Sequence, residues 1–426
     1  MVGTGTPVRR ASSPIRIPRG YCAFPAVCSS PGARECEEAF ITVEFPRHRA
    51  SMRPCDAHSA ANPSAQTEAS PDVFTRCPRE KSAREVLEGP QPKETGMTTH
   101  VAPEIPSVPA ELSYGRTVDR SLVHRAAVSE VFVTDIRALA AKKVRSAVQL
   151  PLTHGYYSDH VQRPAVYDAL LLLESGRQAA IAGSHAHIGL SKGTTMIVDT
   201  FRLDLYGLKE LVVGPEPGRL RIDTEYIGQP TRRGRYRKGK VAQRYFVDDT
   251  EVGEHEMDVL FLNQHENEVL RHAQRGTPAP LTSDFCDHGA AVDDIWQAEP
   301  ARVGRGNPLN VVLSRPETSP TAVSAEVTPR FDNRALFDHV YDHLPAMTLV
   351  EAARQLALLS TGEPRTTYAV GFEARFSRFA ELDEPVHAEA PRMRADGGRT
   401  QTPVRFLQGD AEIAHVTVTV APGSEL

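Results

Sequence analysis

One short pattern occurs twice in this chain, each time at the end of an apolar run. Glu174-Ser175-Gly176-Arg177-Gln178 follows Ala169-Leu170-Leu171-Leu172-Leu173, and Glu351-Ala352-Ala353-Arg354-Gln355 follows Met347-Thr348-Leu349-Val350. Positions i, i+3 and i+4 share one face of a helix, so each copy gathers a carboxylate, a guanidinium and an amide in one patch. On an exposed helix such a pair is commonplace and contributes roughly 0.2–0.5 kcal/mol. Inside an apolar helix a charge is expensive unless it is paired or has work to do. Matching placement in two helices therefore constrains the chain strongly. It must bury the same kind of helix twice, and both patches become candidate sites.

The flanking sequence repeats as well. In the first half, Val128 to Thr134 and Val144 to Leu150 alternate like strands, and the loop Pro151 to Arg163 leads into a helix expected from Pro164 to Ala182. Strand-like segments follow at Thr194 to Leu205, Arg219 to Ile227, Lys240 to Val247 and His255 to Leu262. In the second half, Asn310 to Leu313 and Ala322 to Val327 precede the loop Asp332 to His343 and a helix from Pro345 to Ser360. Tyr368 to Phe376, Pro385 to Arg394, Pro403 to Leu407 and Glu412 to Val420 close that half. Strands, one long apolar helix, then consecutive strands is an α+β plan with an antiparallel sheet wrapped around the helix. Its duplication predicts domains over 118–262 and 308–422, joined by a linker over 263–307 and paired as a pseudo-dimer. Such a chain is expected to be a monomeric pseudo-dimer or a homodimer.

Residues 1–117 hold 15 of the 33 prolines and show no sustained period, so they are expected to be disordered, with at most a short helix from Ser82 to Leu87. Met97, followed by a short polar lead into ordered sequence, is a plausible alternative start. Five of the six cysteines fall in this extension, and no pair has C-x2-C spacing, which argues against a zinc site. With 49 basic and 54 acidic residues the net charge is −5, and nothing in the balance suggests nucleic acid or a membrane surface. No apolar run nears the roughly 20 residues of a membrane span. A cytoplasmic protein with no cofactor and no metal is expected.

Three stretches carry a family resemblance. They are Leu122-Val123-His124-Arg125-Ala126-Ala127-Val128-Ser129-Glu130-Val131-Phe132-Val133-Thr134-Asp135, Leu173 to Gln178, and Asp342-His343-Leu344-Pro345-Ala346-Met347 through Gln355. Together they resemble the A-factor biosynthesis family, the γ-butyrolactone autoregulator synthases of actinomycetes, over roughly Ser121 to Val420. The resemblance implies two tandem hotdog domains, each a sheet wrapped around a central helix. It also implies an acyltransferase reaction, in which a β-ketoacyl group passes from its acyl carrier protein (or acyl-CoA) thioester to the hydroxyl of dihydroxyacetone phosphate.

The residues suit that chemistry. A Glu raised in pKa by an apolar helix face would serve as a base, and an Arg one turn away would serve as a fork for phosphate. Free N–H groups in the first turn of each helix would stabilise the thioester oxygen as it gains charge. Because the loop ahead of Glu351 is the more compact, Glu351 and Arg354 are expected to form the principal centre, with Glu174 and Arg177 as a second or structural copy. Gln355, Gln178, Asp342, His343 and His160 are the expected substrate contacts, although Asp342 would equally suit a helix-entry cap. Asp338 and His339 read as packing. Pairing of His160 with a Glu across the interface would favour a hotdog dehydratase or thioesterase instead, and a non-catalytic acyl or lactone binder is the third alternative. The basic run Arg232, Arg233, Arg235, Arg237, Lys238, Lys240 and Arg244 is either a solvated loop or a dock for an acidic carrier protein.

Overall fold

The computed structural model describes residues 111–232, 234–285, 296–393 and 397–426. The extension to residue 110, with its cysteines, Met97 and the segment Ser82 to Leu87, lies outside the described residues, as does Cys286.

Two helices form the cores of two similar halves: α1 (Ala169–Gly183) and, after a shorter α2 (Gln264–Arg275), α3 (Ala346–Thr361). Helices α1 and α3 are apolar almost all round, which suits a helix enclosed by a sheet rather than laid on its surface. In the first half the wrapping strands are β1 (Val133–Ala140), β2 (Lys143–Leu150), β3 (Thr195–Leu205), β4 (Gly218–Ile227), β5 (Lys238–Val247) and β6 (Thr250–Leu262). The second half has β7 (Leu313–Thr318), β8 (Ala322–Val327), β9 (Thr367–Phe376), β10 (His387–Pro391), β11 (Thr400–Gln408) and β12 (Ala411–Pro422).

All twelve strands join one sheet in the order β1-β2-β4-β5-β6-β3-β9-β12-β11-β10-β8-β7. Read from the centre outward, the two halves have the same order. The seam is the antiparallel pair β3–β9, running from Thr200 opposite Arg375 to Asp204 opposite Gly371. The fold is thus α+β, two hotdog units fused into one continuous sheet with a pseudo-twofold axis at the β3–β9 seam. No helix among the described residues is long and apolar enough to cross a membrane.

Three local expectations change. Val128–Glu130 and Pro308–Asn310 are short 3-10 turns, and the strands begin only at Val133 and Leu313. The residues between face the helices: Phe132 N–H donates to Gln178 Oε1 and Val312 N–H to Gln355 Oε1. Their alternation records burial against a helix rather than pairing in the sheet. Helix α1 starts at Ala169 rather than Pro164, because Val166 bridges to Val212 and Asp168 caps the helix through Leu170 N–H. The stretch expected to be a linker contains α2, entered through a capping box in which Asn263 and Glu266 each satisfy the other's backbone N–H.

Candidate active site between the two repeats

The two motif helices carry the same buried cluster. On α1, Glu174 accepts from Arg125 (Nε, 3.1 Å, and Nη2), from Arg177 Nη1 and from Gln178 Nε2 at 2.9 Å. On α3, Glu351 accepts from Arg305 Nε at 2.9 Å, from Arg354 Nε and Nη2 at 2.9 and 2.7 Å, and from Gln355 Nε2. Gln178 also ties the helix to Glu130 O and Phe132 N–H, as Gln355 does to Asn310 O and Val312 N–H. Each Glu is thus the hub of two arginines, one from its own helix and one from the segment before the first strand of its repeat. Arg125 and Arg305 occupy matching places, in Val123-His124-Arg125 and Val303-Gly304-Arg305.

The hub settles the protonation of both carboxylates. Burial by itself would raise their pKa, but two facing guanidiniums outweigh it: Glu174 is pulled down, and Glu351 is held down at about 2. This corrects the expectation of a Glu raised by its apolar helix. Both are carboxylates near neutral pH that fix arginines in place, and neither is poised to take a proton there.

The loops cross between repeats. From the first repeat, the loop over 151–163 reaches Arg305, which donates to Tyr156 O and Asp159 O, while Asp159 Oδ1 accepts from Gly306 N–H at 2.9 Å. From the second, Asp338 accepts from Arg125 Nη1 at 3.2 Å and from Ala126 N–H at 2.9 Å. Asp159 and Asp338 are therefore counterparts, and so are the histidines that follow them, His160 and His339. The compact loop ahead of Glu351 does not serve Glu351. It lines the space over Glu174.

That space is a cavity of about 750 Å³. Glu174, Arg125, Arg177 and Lys192 form part of its wall, and the second repeat contributes His339, Asp342 and His343. Deeper in, Ile181, Val241, Met257, Val259 and Phe261 make an apolar bore. The first turn of α3 also faces the cavity. Pro345 occupies its cap position without a side-chain bond, and Ala346 and Met347 N–H have no partner among the described residues.

The other cluster is closed. Arg305 and Glu351 are 0% exposed and Arg354 is 4% exposed, whereas the Arg177 side chain keeps 28%. Arg305 lies on the Tyr156 ring at 4.3 Å. A Cβ at Gly304 would come within 2.5 Å of the Leu358 Cδ1 methyl and 3.4 Å of Gln162 Nε2, so a larger residue there would have to push Leu358 aside and adopt a left-handed backbone. At the corresponding N-terminus of α1, Asp168 presents its own carboxylate to Leu170 N–H. The expectation that Glu351 and Arg354 form the principal centre therefore meets a sealed core, and the open geometry belongs to Glu174 and Arg177.

Of the other expected contacts, Asp342 and His343 lie on the cavity wall, bonded to each other at 2.6 Å, and Asp342 takes Arg271 Nε at 2.8 Å. Asp342 does not cap α3. Asp338 and His339, expected as packing, form a second such pair at 2.6 Å, with the imidazole at the cavity. His160 lines a separate, smaller cavity with Tyr157, Tyr167 and Leu171, and no hydrogen bond or ion pair among the described residues joins it to Glu174 or Glu351. The His/Glu pair that would have favoured a dehydratase does not form. In the basic run, Arg235 and Arg237 share Glu266, Lys240 binds Glu256, Arg244 binds Glu251 and Lys238 lies 3.8 Å from Asp199. Arg233 lies outside the described residues. No group of three or more His, Cys, Asp or Glu among the described residues could hold a metal ion.

Sequence reasoning missed Arg305, which lay in the presumed linker, and gave no role to Arg125 within its motif. The signal was the repeated Val-x-Arg, seven residues before the backbone that the helix Gln grips. Gly176, by contrast, is explained by the fold: a Cβ there would strike the Tyr245 hydroxyl and lie 2.7 Å from Gln243 Oε1.

The chain is 31% identical over 310 residues to a 2-oxo-3-(phosphooxy)propyl 3-oxoalkanoate synthase of Streptomyces virginiae, covering 70% of this chain and 95% of that protein. A synthase of the same name from Streptomyces coelicolor is 28% identical, over 64% of this chain and 81% of that one. Among solved structures, a 12:0-ACP thioesterase from Umbellularia californica aligns at a TM-score of 0.39 and 12% identity, over 67% of this chain and all of that one. An acyl-ACP thioesterase from Bacteroides thetaiotaomicron aligns at 0.37 and 13%, over 66% and 98%. The A-factor biosynthesis hotdog domain matches twice, over residues 109–263 and 288–423, once for each half of the sheet. The chain belongs to the A-factor biosynthesis hotdog family.

Proposed function

We propose that this protein transfers a 3-oxoacyl group from a thioester, carried by acyl carrier protein or coenzyme A, to the free hydroxyl of dihydroxyacetone phosphate. The product is the phosphate ester that opens γ-butyrolactone synthesis, and both substrates are cytoplasmic. One observation carries the reading: a single cavity joins an apolar bore to a wall bearing Arg125, Arg177 and Lys192. The bore suits an acyl chain and the cationic wall suits a phosphate. The name of the Streptomyces relatives, which states the same product, supports it.

The parts divide as follows. Arg177, held through one nitrogen by Glu174 and partly open to the cavity, takes the phosphate through its remaining N–H groups. Arg125 is pinned between Glu174 and Asp338 and keeps the wall positive and rigid. The uncapped N–H groups of Ala346 and Met347 receive the thioester oxygen as it gains charge, aided by the positive end of α3. His343, held by Asp342, completes the acceptor's surroundings, while Gln178 stays buried behind Glu174 and ties α1 to Glu130 O and Phe132 N–H. The acyl group passes directly from sulfur to oxygen: among the described residues no cysteine lines this cavity, and its serine, Ser184, is buried with its hydroxyl donated to Ala180 O.

The test is direct. Incubation with a 3-oxoacyl thioester and dihydroxyacetone phosphate should yield the phosphate ester by mass spectrometry. Release of free acid alone would make the protein a thioesterase, and binding without turnover would make it a receptor.

A further inference from the structure

His124 marks a difference between the two repeats. It precedes the hub arginine Arg125, just as Gly304 precedes Arg305. The turn demands a left-handed backbone in both, with φ +80° at Gly304 and +54° at His124. Glycine meets that demand without strain. A side chain with a Cβ is uncommon there, and when one persists at a cavity it calls for a functional reason.

The ring is wired at one end only. His124 Nε2 lies 2.8 Å from His185 Nε2, and His185 Nδ1 lies 2.9 Å from Leu190 O. His185 sits in a π-helical turn, Ser184–Ile188, which widens the end of α1 just where this contact is made. A carbonyl only accepts, so His185 Nδ1 carries a hydrogen and its Nε2 is bare. The proton between the two rings then belongs to His124 Nε2, and His124 Nδ1 is left with a free lone pair. Nδ1 has no hydrogen-bond partner among the described residues, and His124 lines the cavity beside Arg125 and Arg177.

We propose that His124 is the proton-transfer residue of this cavity, and that it becomes an effective base only when a phosphate group has bound. The proposal rests on the acyl-transfer reading above. Free of ligand, His124 is a poor base: burial first, and then the positive charges of Arg177 and Arg125, lower its pKa to about 4, and the rings of His185 and His339 also face it. These groups face it from the π-turn, α1, the second-repeat loop and its own segment. Lys192 adds another positive charge on the same wall, and the carboxylate of Glu174 is already committed to its arginines. A phosphate dianion against Arg177 supplies the missing counter-charge and raises the basicity of Nδ1. The acceptor hydroxyl then gives its proton to His124 Nδ1 as its oxygen bonds to the thioester carbon. The carbon–sulfur bond breaks, and the departing thiolate takes that proton from Nδ1. A thioester bound without acceptor meets a neutral, weakly basic imidazole, which protects it from hydrolysis.

Two measurements on the full chain test this. Asn tolerates a left-handed backbone, so His124→Asn keeps the turn. It should lower kcat for ester formation by roughly 10²–10⁴-fold while KM for dihydroxyacetone phosphate changes only a few-fold. A kcat within threefold of wild type would overturn the proposal. Separately, the His124 imidazole signal, assigned by its loss in that variant, is titrated by NMR with and without inorganic phosphate. Its midpoint should rise by at least about one pH unit with phosphate, a tenfold change in proton affinity, and an unmoved midpoint would overturn the proposal. If wild type forms no ester, the acyl-transfer reading fails and the titration alone decides whether phosphate controls His124.

Discussion

Arg177 and Arg354 have the same place in the motif and the same carboxylate partner, yet they differ in what surrounds their free nitrogens. Arg177 opens onto the cavity, whereas Arg354 is closed in with Arg305 against Glu351. Arg177→Met should therefore weaken the use of dihydroxyacetone phosphate, losing about 1.5–3 kcal/mol of charge-assisted hydrogen bonding, or roughly 10–150-fold in kcat/KM. Its urea midpoint should stay near that of wild type. Arg354→Met should do the reverse and cost about 3–5 kcal/mol of stability, because a buried partner charge is left behind. Equal loss of activity with unchanged stability in the two variants would contradict the assignment of roles. Glu351 adds a pH signature. Its folded pKa of about 2 lies below its unfolded value, so its stabilisation is fully present above about pH 5 and is lost as pH falls towards 2. The stability gap between wild type and Glu351→Gln, measured by urea unfolding, should be widest near neutrality and close over that acidic range. A gap that stayed constant from pH 7 to 3 would mean that Glu351 is not the ionised hub.

Among the elements, α2 has the least obvious purpose and the most specific contacts. Arg271 leaves it to bind Asp342 and, through two nitrogens, Glu381, with the Phe379 ring 4.5 Å below. Arg275 joins Glu381 and Asp383. The helix is a strap that holds the second-repeat loop where His339, Asp342 and His343 face the cavity. Arg271→Ala should release that loop, raising amide exchange over 332–343 and lowering kcat/KM, while exchange in α1 stays slow. Unchanged protection of the loop would show that it is held by other contacts. How much of this could be read in advance depended on range. The core helices and most strands follow from local periodicity, and the Asn263-x-x-Glu266 cap of α2 is a local signal too, masked by a composition that resembled a linker. The partners of Arg271 lie 71 and 110 residues away in the chain. No spacing rule connects them, because only the packed fold brings them together.

For the whole molecule, duplication creates two equivalent places and the sequence then specialises one of them. Each place takes a hub helix from one repeat and a helix N-terminus and loop from the other. The motif revealed the pairing but not the crossing, so the compact second loop pointed to Glu351 when it in fact covers Glu174. In the sealed place, Asp168 supplies the anion at the helix end, Tyr156 covers the arginine and Gly304 packs closely under Leu358. In the open place, the matching positions are Pro345, with no side-chain cap, and His124. The helix cap and the residue before the hub arginine thus differ between the two places in the sense that closes one and opens the other, which is the pattern expected if one repeat has become scaffold for its twin. The chain should accordingly bind one phosphate ligand, not two. Calorimetric titration with dihydroxyacetone phosphate should give a stoichiometry near one per chain, and Arg177→Met should weaken that one site sharply. Two sites of similar affinity, or binding that survives Arg177→Met unchanged, would mean that the cluster around Glu351 opens in solution and that the asymmetry has been misread.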